Sequence, residues 1–161
     1  MGHQELLLTI GAIVTFSILN FTVSQHAVRN SDAIYSTQAE FYATSLAQRF
    51  IEEAKTKAFD KNTLTATADA VSDFTPSLGP EAGEVYPNFN DVDDYDGLTR
   101  NESFTIDTMR VTITVFYVDE TNLNTDAGTR KFYKKMRVSV QSSYLISPVR
   151  TDYVFAFQRN P

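Results

Sequence analysis

An uncharged apolar run, LLLTIGAIVTFSILNFTV from Leu6 to Val23, most constrains this chain; Glu5 is the only ionised side chain beside it on its N-terminal side. As a helix the run is about 27 Å long, close to the roughly 30 Å hydrocarbon thickness of a bilayer. A secretory signal starts with Lys or Arg and ends at a small-residue cleavage site, and neither pattern is present. The run passes straight into an amphipathic segment. It therefore reads as a retained part of the working protein, a mature N-terminus whose leader has already been removed.

Between Leu6 and Ala58 there is no Pro, and Gly11 is the only Gly. After the apolar run, Val28, Tyr35, Ala39, Tyr42, Leu46, Phe50, Ala54 and Ala58 recur at helical steps, with Arg29, Asp32, Glu40, Gln48 and Glu52 opposite. The expectation is one helix of about 55 residues, roughly 80 Å long, stopping at Asp60-Lys61-Asn62. Residues 1–24 form its apolar half and 25–59 its amphipathic half. No head of this size covers such a helix, so the apolar half must lie in lipid or against other copies.

Residues 60–161 read as a head. Three of the five prolines (Pro76, Pro80, Pro87) and Gly79, Gly83 and Gly97 fall in 60–103, which predicts a long connecting region. From 104 to 161 the period becomes two. Met109, Val111, Ile113, Val115 and Tyr117 alternate with a second set; Met136, Val138 and Val140 do the same; Tyr153, Phe155 and Phe157 form a third strand. Asp119 to Arg130 reads as a turn or loop. The predicted class is α+β: a long N-terminal helix packed by its amphipathic half on a C-terminal antiparallel sheet of three to four strands.

The chain has 161 residues, 14 basic and 20 acidic, for a net charge of −6, which argues against nucleic acid as the main partner. Acids dominate from Asp60 to Asp126. Seven basic residues (Arg130, Lys131, Lys134, Lys135, Arg137, Arg150, Arg159) follow against Asp152 alone. That asymmetry reads either as a solvated head or as an acidic surface of one copy meeting a basic surface of the next. There is no Cys, and both histidines, His3 and His26, sit on the N-terminal helix. Nucleophilic and acid–base catalysis therefore lack their usual groups, and no enzymatic activity and no required cofactor is expected.

Four carboxylates (Asp91, Asp93, Asp94, Asp96) lie within six residues beside Asn88 and Asn90, ahead of Gly97. Oxygen ligands on a loop suit calcium. The EF-hand spacing fails, because Gly97 as sixth position would put Val92 first. The other reading is a hydrogen-bonded turn, with aspartates capping backbone amides and Tyr95 packed inward.

An apolar N-terminal helix with Glu at the fifth position, a Pro/Gly-rich connector and an antiparallel sheet resembles a type IV pilin or pilin-like protein. The stretch Asn90-Asp91-Val92-Asp93-Asp94-Tyr95-Asp96-Gly97-Leu98 resembles the Asp-rich segment of pilin-like proteins related to the mannose-sensitive haemagglutinin pilus. The resemblance implies cleavage of a basic leader, methylation of the new N-terminus at Met1, and polymerisation into a helical extracellular filament at the cell surface. It implies an inner-membrane pool before assembly and a pilus assembly machinery as partner. Glu5 would pair with the Met1 amine of a neighbouring subunit, and Gly11, Ala12, Ser17 and Asn20 would line helix–helix contacts. Two other readings stand beside a major subunit: a minor pilin or type II secretion pseudopilin priming assembly, and a single-pass membrane-anchored binding protein.

Overall fold

The structure, a computed structural model, describes residues 2–105 and 107–158, with the side chains at 27–29 left aside. Met1 and Arg159, and the side chains of Val28 and Arg29, which the sequence reading used, lie outside the described residues. One long helix, α1 (His3–Ala54), is followed by five strands: β1 (Thr99–Ser103), β2 (Thr108–Asp119), β3 (Asn122–Asp126), β4 (Tyr133–Gln141) and β5 (Val149–Ala156). The chain divides into two compact units, Met1–Gln38 and Ala39–Pro161.

In the second unit, Ala39, Ala43, Leu46, Ala47, Phe50, Ile51 and Ala54 form the buried stripe of α1. Their three- and four-residue steps place them on one side of a 3.6-residue helix. They share one core with Val92, Tyr95 and the inward rows of β2 and β4. All strand pairs are antiparallel, in the order β1-β2-β4-β5, with β3 folding back on the end of β2. The register sets Val111 opposite Val140, Ile113 opposite Val138, Val115 opposite Met136 and Tyr117 opposite Lys134. Every residue of the predicted inward row of β2 is buried, as are Met136, Val138 and Val140. A second, aromatic core gathers Phe59, Phe74, Tyr117, Phe132 and Phe157.

Three expectations are corrected. The sheet has five strands, not three or four. β1 is drawn from the supposed connecting region and β3 from the supposed Asp119–Arg130 loop, because TRNES and NLNTD are polar strands whose ladders do not depend on a buried face. The helix ends at Ala54, short of Ala58. There the backbone turns extended so that Ala58 N–H donates to Asn90 O (3.2 Å) and Val92 N–H donates to Ala58 O (3.0 Å). Asp60 is no helix stop; it caps the next short 3-10 helix, Lys61–Leu64, through Asn62 N–H. Phe157 lies just past β5, its N–H on Phe132 O at 2.8 Å.

The basic C-terminal third is also not the free surface its composition implied. Lys134 is buried on Asp60 and Asp93, Lys135 and Arg137 meet Asp152, and Lys131 meets Asp119. Arg130 donates to the carbonyls of Ser72 and Phe74. Five of the seven cations thus act inside their own head.

Candidate functional site

In the first unit the apolar run stands bare. Every side chain from Leu6 to Val23 is exposed, Leu8 at 75% and Phe16 at 70%. The helix is long and apolar enough at this end to cross a membrane. Covering eleven large apolar side chains at about 1 kcal/mol each amounts to roughly 10 kcal/mol, comparable to the whole stability of a small domain. Water is the wrong solvent for this surface.

The polar groups within the run are turned inward on their own helix. Thr9, Thr15, Ser17 and Thr22 hydroxyls donate to the carbonyls of Glu5, Gly11, Ile13 and Ile18 at 2.7–2.9 Å. The Asn20 side-chain amide donates to Phe16 O at 2.8 Å. No hydroxyl proton of these is left to be stranded in an apolar surrounding. Glu5, in the first turn, accepts from Gly2 N–H at 3.2 Å, a favourable place for an anion at the positive end of a helix. Its expected partner, the Met1 amine, lies outside the described residues. Gly11, Ala12, Ser17 and Asn20 do not form one stripe: at about 100° per residue they spread around the helix. A Cβ at Gly11 would meet nothing within 4 Å in the single chain.

In the second unit the aspartate-rich turn is tied into the core by an ion pair that sequence reasoning missed. Lys134 is fully buried, its Nζ 2.6 Å from Asp93 Oδ1, 3.1 Å from Asp60 Oδ2 and 2.7 Å from Phe59 O. Burial alone would push Asp60 up. The Lys134 charge and the amides of Asn62 and Thr75 outweigh it and hold the carboxyl below the usual carboxylate range. Tyr117 hydroxyl, 3.4 Å from Asp60, is pushed up by burial and by that neighbouring charge. The signal was in the sequence: Lys134 is in phase with Met136, Val138 and Val140, so period two points it inward.

The four aspartates take separate tasks. Asp91 Oδ1 accepts from the N–H of Asp93 and Asp94, Asp94 Oδ2 from those of Asn90 and Asp91, and Asp96 Oδ1 from Val115 N–H at 2.8 Å. Asp93 is taken by Lys134. Asp91, Asp93, Asp94 and Asp96 therefore do not converge on one point, and the calcium set expected from sequence is not assembled. The geometry is that of the hydrogen-bonded turn, with Tyr95 fully buried and its hydroxyl on Glu53 Oε1 at 2.7 Å. Tyr86 holds the other oxygen of Glu53 at 2.9 Å, so one α1 carboxylate fastens the loop twice. Burial pushes the Asp91 carboxyl up to about 8, helped by the neighbouring Asp93.

Among the described residues, Glu81, Glu84 and Asp94 form a group of three carboxylates with an oxygen of each within 4.8 Å of the others. Glu81 Oε2, Asn90 Oδ1, Asp91 Oδ2 and Asp94 Oδ1 are buried without a hydrogen-bond partner in the chain. Each such oxygen ordinarily costs about 1–3 kcal/mol. The neighbouring Glu81 carboxyl pushes Glu84 up; burial would push Glu81 up as well, but Glu84 and Lys61 outweigh it and hold Glu81 down. One cleft, about 840 Å³, lies between Val71–Pro76 and Gly128–Tyr133, and its Lys131 and Asp119 neutralise each other at 2.6 Å.

No family model, curated protein or solved structure matches this chain.

Proposed function

We propose that this chain is a structural subunit of an extracellular filament of the type IV pilus class, polymerising through residues 1–24. The observation that carries the reading is a helix surface apolar on all sides, with its polar side chains bonded back to the helix and one carboxylate at its first turn. A helix apolar all round requires surroundings that are apolar all round. A bilayer supplies them before assembly and a bundle of identical helices supplies them afterwards. The spread of Gly11, Ala12, Ser17 and Asn20 around the helix suits several neighbours rather than one.

Between apolar helices lipid and protein are nearly equivalent solvents, so specificity must come from polar groups and close packing. Glu5 fills that role. In the single chain it caps its own helix through Gly2, a bond worth little at an exposed terminus. In the filament it exchanges that bond for the Met1 amine of the subunit below, a pairing available only in correct axial register. The heads form the outer sheath, and an assembly motor supplies the energy.

The test is electron microscopy and quantitative blotting of material sheared from cells expressing the full chain with a pilus assembly system. Long fibres built from this chain are expected, and Glu5→Ala lowers the sheared yield at least tenfold while the membrane pool persists. A chain that stays in the membrane fraction and yields no fibre under any condition refutes the proposal. Scarcity of the chain within fibres made of another subunit assigns it the priming role instead.

A further inference from the structure

The loop between Pro80 and Gly97 contains oxygens that the fold itself leaves unanswered. Glu81 Oε2, Asn90 Oδ1 and Asp94 Oδ1 are buried and accept no hydrogen bond from the chain. Their residues touch one another. Glu81 N–H donates to Glu84 Oε2 at 3.2 Å, the Asn90 side-chain amide donates to Glu84 Oε1, and Asn90 N–H donates to Asp94 Oδ2 at 2.9 Å. Asp94 is only 1% exposed; two backbone amides fix its Oδ2 and leave Oδ1 free. Carboxylate and amide oxygens only accept, so what each lacks is a donor or a positive charge. Lys61 lies 3.3 Å from Glu81 Oε1, the other oxygen of that carboxylate.

We propose that Glu81, Glu84 and Asp94, joined by the side-chain carbonyl of Asn90, form a binding site for one calcium ion. The donor set is all oxygen, which selects a hard cation over zinc or copper. Calcium takes oxygens at about 2.3–2.6 Å, so ligands on opposite sides of the ion stand roughly 4.6–5.2 Å apart. One oxygen of each of the three carboxylates lies within 4.8 Å of the others, inside the span that calcium ligands occupy. Magnesium, at about 2.0–2.1 Å with strict octahedral geometry, gives up its waters reluctantly and is a poor match for a set built from one loop's side chains. A water molecule in the same place offers two protons but no charge to set against three carboxylates.

The ion would pin the 80–85 segment to the Asn90–Asp94 turn. That turn is already fastened to α1 through Glu53 and to β2 through Asp96 and Val115 N–H. Of the four aspartates singled out from sequence, only Asp94 belongs to this site. The inference concerns the head alone and stands apart from assembly: fibres without calcium binding, or calcium binding without fibres, separate the two proposals.

The test is calorimetric titration of the chelator-stripped full chain in detergent with CaCl2 and, separately, MgCl2. One calcium per chain is expected, with a dissociation constant of about 10⁻⁵–10⁻³ M and a melting temperature that rises with calcium. Glu81→Gln/Glu84→Gln should weaken binding at least tenfold and abolish the thermal shift; Glu120→Gln, far along the chain on an exposed turn, should change neither. If circular dichroism shows the double variant unfolded, Glu84→Gln alone carries the comparison. Absence of saturable binding up to about 10 mM calcium, equal affinity for magnesium, or undiminished binding by a folded variant overturns the assignment.

Discussion

Replacing Lys134 by Met keeps most of the side chain's volume and deletes its charge, so the packing loss stays below about 1.5 kcal/mol. The electrostatic loss is larger. Nζ lies 2.6 Å from Asp93 Oδ1, 3.1 Å from Asp60 Oδ2 and 2.7 Å from Phe59 O. Removing one partner of a buried pair costs about 3–5 kcal/mol, because the other charge stays behind unpaired. The two carboxylates are not equally exposed to that loss. Asp60 keeps the N–H groups of Asn62 and Thr75. Asp93 keeps the Thr75 hydroxyl, whose single proton is also within reach of Asp60, and no backbone amide among the described residues, beside its neighbour Asp91.

Asp93 should therefore carry most of the penalty, and Lys134→Met/Asp93→Asn should recover more than half of it, whereas Asp60→Asn recovers less. For a unit of about 120 residues, each kcal/mol moves the melting temperature by roughly 3–5 °C, so Lys134→Met should lower it by about 10–20 °C. The assay is near-ultraviolet circular dichroism of the full chain in detergent, read on the tyrosines. The deficit also has a pH signature. Lys134 helps hold Asp60 below its unfolded value, a stabilisation present above that value and lost as pH falls through the folded one. Without Lys134 that stabilisation shrinks, so the gap between variant and native chain should narrow as the solution is acidified towards pH ~4. A melting temperature within about 3 °C of the native chain, or an Asp93→Asn change that adds to the damage, would refute this account of the core.

Asp91 should show the opposite sign. Its carboxyl is pushed up to about 8, so its contribution is full below the unfolded value near ~3.9 and is lost as pH rises towards the folded one. In calcium-free buffer Asp91→Asn should match the native chain at pH ~4 and become progressively more stable than it up to pH ~8, checked by urea midpoints across that range. Phe74, 1% exposed and 5.1–5.6 Å from the rings of Phe59, Phe132 and Phe157, should lose about 3–5 kcal/mol on change to Ala, read as a lower denaturant midpoint. Gly11→Ala should make the isolated helix more stable by about 1 kcal/mol, since its Cβ meets nothing. It should nonetheless reduce fibre yield if another helix packs there; an undiminished yield would remove Gly11 from the assembly surface.

The helix and the two central strands were legible because burial imposes a period on them. The Ala39–Ala54 stripe and the alternation in β2 and β4 are consequences of one face meeting a core, and one face is visible as spacing. β1 and β3 were not legible for the matching reason. Thr99–Ser103 pairs only with β2 at the sheet edge and alternates polar side chains, and Asn122–Asp126 is exposed throughout, so neither strand leaves an apolar alternation in the sequence. The helix end was misplaced because Ala58 continues the helical spacing, while its backbone is claimed by Asn90 and Val92 more than thirty residues on. Nothing local encodes that competition.

The polar side of the head follows a different rule. The Asp-rich stretch reads as a ligand loop when its charges are counted together, yet Asp93 is committed to a lysine forty-one residues away and Asp96 to a backbone amide nineteen away. Charge runs report composition, whereas binding requires oxygens that nothing else has claimed. Glu81 and Glu84, separated from the aspartates by Pro87 and three aromatic or apolar neighbours, look like ordinary surface acids in the sequence. They become a candidate site only when the fold brings their carboxylates to Asp94 and leaves one oxygen each of Glu81, Asn90 and Asp94 buried and unanswered. Lys134 marks the same distinction from the other side: a residue counted among the basic surface is the group that consumes two of the carboxylates. What remains after that subtraction, rather than the length of the acidic run, sets the head's capacity to hold a cation.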